Sequence, residues 1–354
     1  MKILYVAGRE ASYSRTRIIL RALTDMGHEV VTVLPPDRSF KNYPRLLWQT
    51  LLAAPRCDVV LTGFYGQLIT PVIRLLTWKP IVFDMYITTY DTMVFDRAKA
   101  KEGSFMAWVY GLSDWLSYKA ANISILDSQH VIEHFKRTFK VDGRKLRRLF
   151  LAVDDKAIYP RPPAEKSSDF LVHFHGEYTP FHGVRHILRA AKMLENEGVQ
   201  FQIVGKGITY EEDMKLAKEL DLKNVRLIDS VPYDQLAVLM SNADVCLGIF
   251  GENTRASLVM TNKVIEGIGM AKPLITQRNA PVQELLRHGE SVYLVDAASP
   301  QALADAVRTL KNDPALCQRI ADNGYQAFKD HCAIQKTGEA LQAMFDEVTG
   351  KTRT

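Results

Sequence analysis

Asn262, Lys263 and Glu266 are the residues whose types and spacing point most directly to chemistry. They lie in a helix-period segment in which Val264, Ile265 and Ile268 share one face and the three polar residues another. Apolar runs at 245–250 and 273–276, on either side, read as short buried strands. Thr261 and Asn262 are plausible caps, and the free amides of the helix would then face the end of the strand layer. Backbone N–H groups and the helix dipole favour phosphate, and Lys263 adds a full positive charge. Glu266, a turn further in, can accept two hydrogen bonds from a ribose diol. This arrangement suits a nucleoside diphosphate. The plainer reading is a surface Lys263–Glu266 pair on an amphipathic helix, contributing roughly 0.2–0.5 kcal/mol.

A second polar stretch, DMYITTYDTMVFDR at 84–97, follows another strand-like run. Asp91 there is either the group that orients or deprotonates an acceptor hydroxyl or the cap of the turn it stands in. Tyr86 and Arg97 are placed to bind acceptor or phosphate.

The elements that must hold these residues are set by length and composition. At 354 residues the chain exceeds one ordinary core and suits two domains. Apolar content of 47% with 24% charged residues is that of a soluble globular protein. No run approaches the ~18–20 uninterrupted apolar residues of a membrane span, and MKILYVAGRE reads as a first strand, its apolar part being too short for a signal peptide. Cys57, Cys246, Cys317 and Cys332 are scattered, so neither a zinc site nor a disulfide framework is expected, and a reducing cytoplasm is the simplest setting. The net charge of +5 is concentrated in the first half, above all at 136–148, where only Asp142 opposes the cations. That run is either a solvated face or an attraction to an anionic membrane or acceptor. Aromatics are not interleaved with it, so nucleic acid is not an expected partner. Segments 45–54 and 108–121 carry tryptophans and cations; they read as core helices, with peripheral contact at the inner membrane face as the alternative.

Strand and helix patterns alternate almost throughout. Strands are expected at 3–7, 29–34, 58–62, 81–84 and 123–127, with helices at 14–26, 43–54, 67–77, 105–121 and 129–139. After a proline-rich linker at 159–168, strands are expected at 170–174, 201–204, 225–228, 245–250, 274–276 and 292–295. Helices are expected between them, and three more close the chain. Such alternation gives parallel sheets covered on both faces, two doubly wound domains that bind ligand outside the carboxyl ends of their strands. The expected domains are 1–163 and 168–330, facing each other across a cleft.

Laid out in order, FHGEYTPFHGV (174–184), FQIVGKG, NVRLIDSVP, NADVCLGIF and KVIEGIGMAKPLIT ahead of PVQELL resemble the family 4 glycosyltransferases, retaining enzymes of GT-B fold. The resemblance covers nearly all of 168–330 and, more loosely, the first half. It implies a nucleoside-diphosphate sugar on the second domain, a glycan or lipid-linked acceptor on the first, and a last helix near 333–349 that packs back on the first domain. It also implies that Glu266 is a ribose-binding glutamate and Lys263 a diphosphate ligand. Gly205 and Gly207, and the turn around Val231, would flank the base; Gly8, with Arg9 beside it, would be a glycine loop near the transferred sugar.

The departures fall in the site. Leu258 stands where the E-x7-E pattern needs its first glutamate, leaving Glu252 as a substitute if its loop folds back. The phosphate-binding Arg and Lys of the family fall on Glu177 and His182, and its histidine after the fourth strand on Tyr86. Positive charge for the leaving diphosphate then comes from Lys263, the helix N-terminus and either Arg255 or an arginine of the first domain, with no metal or cofactor required, and no D-x-D is present. Two rivals are a sugar-nucleotide-binding protein with weakened catalysis and a GT-B-shaped sugar-nucleotide epimerase. For the epimerase no dedicated acid/base pair is visible. Without G-x-G-x-x-G after the first strand, nicotinamide chemistry is not expected.

Overall fold

The computed structural model describes residues 1–37, 39–97, 99–164 and 168–350. The chain divides into two compact units. One is Met1–Ala152 together with the segment from Ile334 onward; the other is Val153–Ala333. Of the expected linker, residues 165–167 lie outside the described residues. Its first part goes with the second unit, where Ile158 is fully buried and lies under Gly269.

The first unit runs β1 (Lys2–Val6), α1 (Ser14–Asp25), β2 (Glu29–Val33), α2 (Tyr43–Ala53), β3 (Val59–Thr62) and α3 (Thr70–Leu76). It continues with β4 (Ile81–Tyr86), a short α4 (Thr89–Asp91), α5 (Phe105–Ala120), β5 (Ile123–Leu126), α6 (Gln129–Phe139) and β6 (Leu146–Arg148). The strands pair in parallel in the order β2-β1-β3-β4-β5-β6. Runs such as VVLT and ISIL are apolar on both faces because helices cover both sides of the sheet. The order reverses between β1 and β3, the place where such sheets open a crevice at their carboxyl end.

The second unit contains β7 (Phe170–His175), α7 (Val184–Met193), β8 (Val199–Val204), α8 (Tyr210–Glu219), β9 (Val225–Ile228) and α9 (Tyr233–Asn242). Then come β10 (Val245–Leu247), α10 (Thr254–Ser257), α11 (Asn262–Gly269), β11 (Leu274–Gln277), α12 (Ala280–Gln283), β12 (Tyr293–Val295), α13 (Pro300–Asn312) and α14 (Pro314–His331). Its sheet is again parallel, in the order β12-β11-β10-β7-β8-β9. Read from the other edge this is the doubly wound 3-2-1-4-5-6 order, with its switch point between β7 and β10. The last helix, α15 (Ile334–Thr349), returns to the first unit, where Leu341 and Phe345 complete the core against Ile19, Leu23 and Leu61. It packs on α1 so closely that a Cβ on Gly338 would come within 2.6 Å of the Met26 side chain.

Two expectations need correction. The cationic run at 136–148 is not wholly a solvated face, because part of it is paired into the sheet. It is the end of α6, a turn, and the edge strand β6. Lys136 pairs with Glu133, Arg144 with Asp142 and Arg147 with Glu347, while Lys145 donates to the carbonyls of Lys119 and Ala121. An edge strand rich in cations resists pairing with a further chain, which explains the composition without a ligand. The tryptophans of α2 and α5 are not core residues either. Leu46 and Thr50 fill the core side of α2, and Ala107, Ser117 and Tyr118 that of α5; Trp48 and Trp108 stand exposed on the opposite side.

Phe345→Ala should lower the stability of the first unit by about 3–5 kcal/mol, as for other buried aromatics truncated in a core. Gln335→Ala, on the exposed side of the same helix, should change it by less than about 0.5 kcal/mol. Urea unfolding followed by circular dichroism checks both.

Candidate functional site

The short strand β7 ends in His173, Phe174 and His175, and the alternation of a strand puts both histidines on one face. Facing them across the switch point is α11, which carries Lys263 and Glu266. These two do not form a surface pair. Only 5% of Lys263 and 7% of Glu266 is exposed, and the two side chains go to different partners.

Glu266 Oε2 lies 2.8 Å from His175 Nε2, and Tyr233 donates its hydroxyl to Oε1 at 2.9 Å. His175 Nδ1 lies 3.0 Å from His173 Nε2, and the Gln202 amide donates to His173 Nδ1 at 2.8 Å. An amide NH2 can only donate, so this chain has one direction: Gln202 to His173, His173 to His175, His175 to Glu266. Both rings are then neutral, with the proton on Nε2. Burial holds His173 well below the usual histidine range, and the adjacent His175 adds to the effect. For Glu266 burial raises the pKa, but the His175 and Tyr233 hydrogen bonds and the nearby Lys263 outweigh it and leave the carboxylate below its ordinary value.

Lys263 Nζ donates to His182 Nε2 at 2.9 Å, and His182 Nδ1 donates to the Glu177 carbonyl. His182 is therefore a neutral acceptor, and burial, reinforced by Lys263, pushes its pKa far down. Burial also pushes Lys263 down to about 7, against the pull of Glu266 and Glu177. Arg255, in α10, lies 6.0 Å from the Phe181 ring, and its buried Nε has no partner among the described residues. Thr261 precedes α11 in extended conformation, but its hydroxyl does not cap the helix and is buried without a partner. Gly176, at φ 142°, leaves room above the lysine: a Cβ there would come within 2.8 Å of Nζ.

The other expected donor-side residues take simpler positions. Asn262 is exposed in the first turn of α11, and Glu252 is exposed just ahead of α10. Leu258 is buried. Gly205 approaches the Gly176 backbone so closely that no Cβ fits, and Gly207 bridges to Tyr178. Val231 is half-buried in the loop that leads to Tyr233.

In the first unit, Gly8 lies under the Tyr65 carbonyl, again with no room for a Cβ. Arg9 is paired twice with Glu10, at 3.0 Å each, and stacks on Tyr13. Tyr86, at φ 61°, lies under the guanidinium of Arg15, which is itself buried against Asp84. Asp91 accepts its own turn's hydrogen bond from Thr88 Oγ1 at 2.6 Å, and Thr88 accepts from the Asp91 amide at 2.9 Å. Asp91 Oδ1 is 3.1 Å from His134 Nε2. The capping reading of Asp91 thus describes its local bonds, and a base role for it runs through His134. Arg97 is exposed after the turn that follows.

His173, His175, Gln202 and Tyr233 escape sequence reasoning because the contacts join residues far apart in the chain. The one local signal is the H-F-H alternation on β7.

Residues 169–313 match the family described as glycosyl transferases group 1. This part of the chain is a glycosyl transferases group 1 domain. The chain is 24% identical over 198 residues to the lipopolysaccharide core biosynthesis glycosyltransferase LpsD of Rhizobium meliloti, covering 54% of this chain and 55% of that protein. It is 21% identical over 215 residues to the N-acetyl-alpha-D-glucosaminyl L-malate synthase of Bacillus anthracis, covering 58% and 55%. The matches thus span little more than half the length of these relatives. Among solved structures, Anabaena HepE in complex with UDP-glucose has a TM-score of 0.76 at 14% identity, covering 98% of this chain and 100% of that one. Sucrose-phosphate synthase of Thermosynechococcus elongatus has a TM-score of 0.78 at 15% identity, covering 99% and 100%. The fold is GT-B.

A buried amine whose pKa lies near 7 takes up a proton when an anion binds beside it at higher pH. Calorimetry of UDP binding at about pH 8.5, in buffers of different ionisation enthalpy, should show uptake of up to about one proton, falling towards zero below about pH 6. Lys263→Met should abolish the uptake.

Proposed function

We propose that this protein is a retaining glycosyltransferase that moves a sugar from a nucleoside-diphosphate sugar to a hydroxyl of a glycan or lipid-linked glycan. The observation that carries the reading is a buried lysine in the first turn of α11 that faces a neutral imidazole, with unsatisfied buried donors just ahead of it in the chain. Lys263 has only a neutral imidazole, while Arg255 Nε and the Thr261 hydroxyl have no partner among the described residues. Buried polar groups are normally satisfied, so such a set is made for an anion that arrives with the substrate. The diphosphate is that anion, and Glu266, held by His175 and Tyr233, takes the ribose diol. The loops at 205–207 and around Val231 flank the base. HepE has been crystallised with UDP and with UDP-glucose, which makes UDP-sugars the first donors to test.

In the reaction the anomeric C–O bond breaks with its electron pair passing to the β-phosphate oxygen. The acceptor oxygen forms the new bond from the same face, and its proton passes to the departing phosphate. Lys263, Arg255 and the first-turn amides of α11, Asn262 among them, stabilise the charge that develops on the diphosphate, with no metal or cofactor. Glu252 takes the role of the missing first carboxylate towards the donor sugar. By the family resemblance Gly8 and Arg9 are assigned to that sugar; Tyr86, Asp91 and Arg97 are assigned to the acceptor, which the protein meets at an anionic membrane face.

A specific observation also favours the second reading, a nucleotide-sugar binder with weakened catalysis: Leu258 fills a carboxylate position with a buried apolar side chain. Transfer and donor-hydrolysis assays separate the two, since tight UDP binding with neither activity selects the binder.

Lys263→Ala should reduce kcat by about 10²–10³-fold, as for the loss of one preorganised donor, with EDTA having no effect on the parent enzyme. A near-normal rate in that variant removes Lys263 from the mechanism. Asp91→Asn should flatten the rising limb of the kcat/KM pH profile if the Asp91–His134 pair, in place of the departing phosphate, receives the acceptor proton. An unchanged profile leaves Asp91 with its capping role alone.

A further inference from the structure

In the first unit, α3 packs against both α2 and α5. Each of the three helices has apolar residues on its outer side in addition to those facing the core. On α2 these are Trp48 and Leu52, on α5 Phe105 and Trp108, and on and just after α3 Leu75 and Trp78. Leu75 is 85% exposed and Trp78 99% exposed. The Phe105 and Trp108 rings stack on each other at 5.9 Å and remain mostly exposed. Scattered single exposures are ordinary on a protein surface, but an aromatic set on three neighbouring helices is not.

The charge around this set is mainly positive, although Asp37 is exposed ahead of α2. Residues 40–80 hold Lys41, Arg45, Arg56, Arg74 and Lys79 against a single acid, Asp58, which accepts the Lys2 amide. Neither α2 nor α3 contains an acid. The only acid in α5, Asp114, is fully buried and accepts the amides of Thr89 and Tyr90. The nearest exposed acid in sequence, Glu102, precedes α5. Indole rings with cations and few carboxylates are the composition of a surface that lies at the boundary of lipid headgroups and acyl chains. A second copy of the chain would set these cations against each other, whereas an anionic bilayer neutralises them. Among the described residues no helix is long and apolar enough to cross a membrane, so the contact is peripheral.

We propose that the outer face of α2, α3 and α5 is the surface by which this protein docks on an anionic lipid bilayer, with Trp48, Trp78 and Trp108 as interfacial anchors. This gives the membrane contact stated above its location. It does not depend on the donor chemistry, because the assay contains no nucleotide.

The full chain is sedimented with vesicles of phosphatidylglycerol and phosphatidylethanolamine, and separately with pure phosphatidylcholine. Binding is expected to the anionic vesicles and to fall by about tenfold or more between low and high salt. The double variant Leu75→Ser, Trp78→Ser should weaken it by about tenfold or more, with circular dichroism unchanged. Vesicle lipids brominated along the acyl chain should quench tryptophan fluorescence in the parent and less in the variant. The proposal is overturned by absence of sedimentation at low salt, by equal binding of the variant, or by a dimer in ultracentrifugation that the double variant dissolves. The last result would assign the face to a second copy instead. Failure of any of these leaves the transfer reading intact, since that is decided by Lys263→Ala on a soluble acceptor.

Discussion

A lysine amine buried beside a neutral imidazole is the constraint on which the second unit depends. Taking an ammonium out of water is costly, and proteins normally answer with a carboxylate or by letting the group lose its proton. Lys263 has the second answer: its direct partner is His182, and its pKa is pushed down to about 7. The nearest acid on its own helix, Glu266, is instead held by His175 and Tyr233. The pocket therefore keeps its acid and its base on separate tasks. That separation is enforced from β7, whose two histidines and terminal glycine stand between them.

Much of the fold was legible because it rests on local patterns. Alternating apolar runs and helix-period segments gave two doubly wound sheets, and the segment from Asn262 read as a helix from its periodicity alone. The edge strand β6 was hidden because Lys145, Arg147 and Arg148 make it look like a charged surface run. Its cations are explained only by partners such as Glu347 and the Lys119 carbonyl, far away in the chain. The same limit applies to the site. Lys263 and Glu266 advertise themselves by spacing, whereas the chain from Gln202 through His173 and His175 exists only once β7 and β8 are paired. The tryptophans were misplaced because a helical stripe of aromatic residues has the same period whether it faces the core or the solvent.

The first unit has its own tension at the switch point of its sheet. Arg15 and Asp84 form a fully buried bidentate pair, and the strand that carries Asp84 ends in Tyr86 at a positive φ, under the same guanidinium. A non-glycine residue in that conformation costs of order 1–3 kcal/mol and persists where its surroundings over-determine it. Here the stack on Arg15 and the edge contact with Phe64 do so. The strain falls beside Tyr65 and Gly8, the backbone bend at which β1 and β3 part.

The return of α15 to the first unit has a consequence for synthesis. Residues 1–152 emerge from the ribosome long before the helix that fills their sheet face, and everything between them belongs to another core. A nascent chain therefore carries an uncovered apolar face, at Ile3, Ile19 and Leu61, throughout translation of the second unit. The later-made unit can close first, and the earlier one is finished last, a sequence of events that makes the half-built sheet the part of this protein in greatest need of a chaperone.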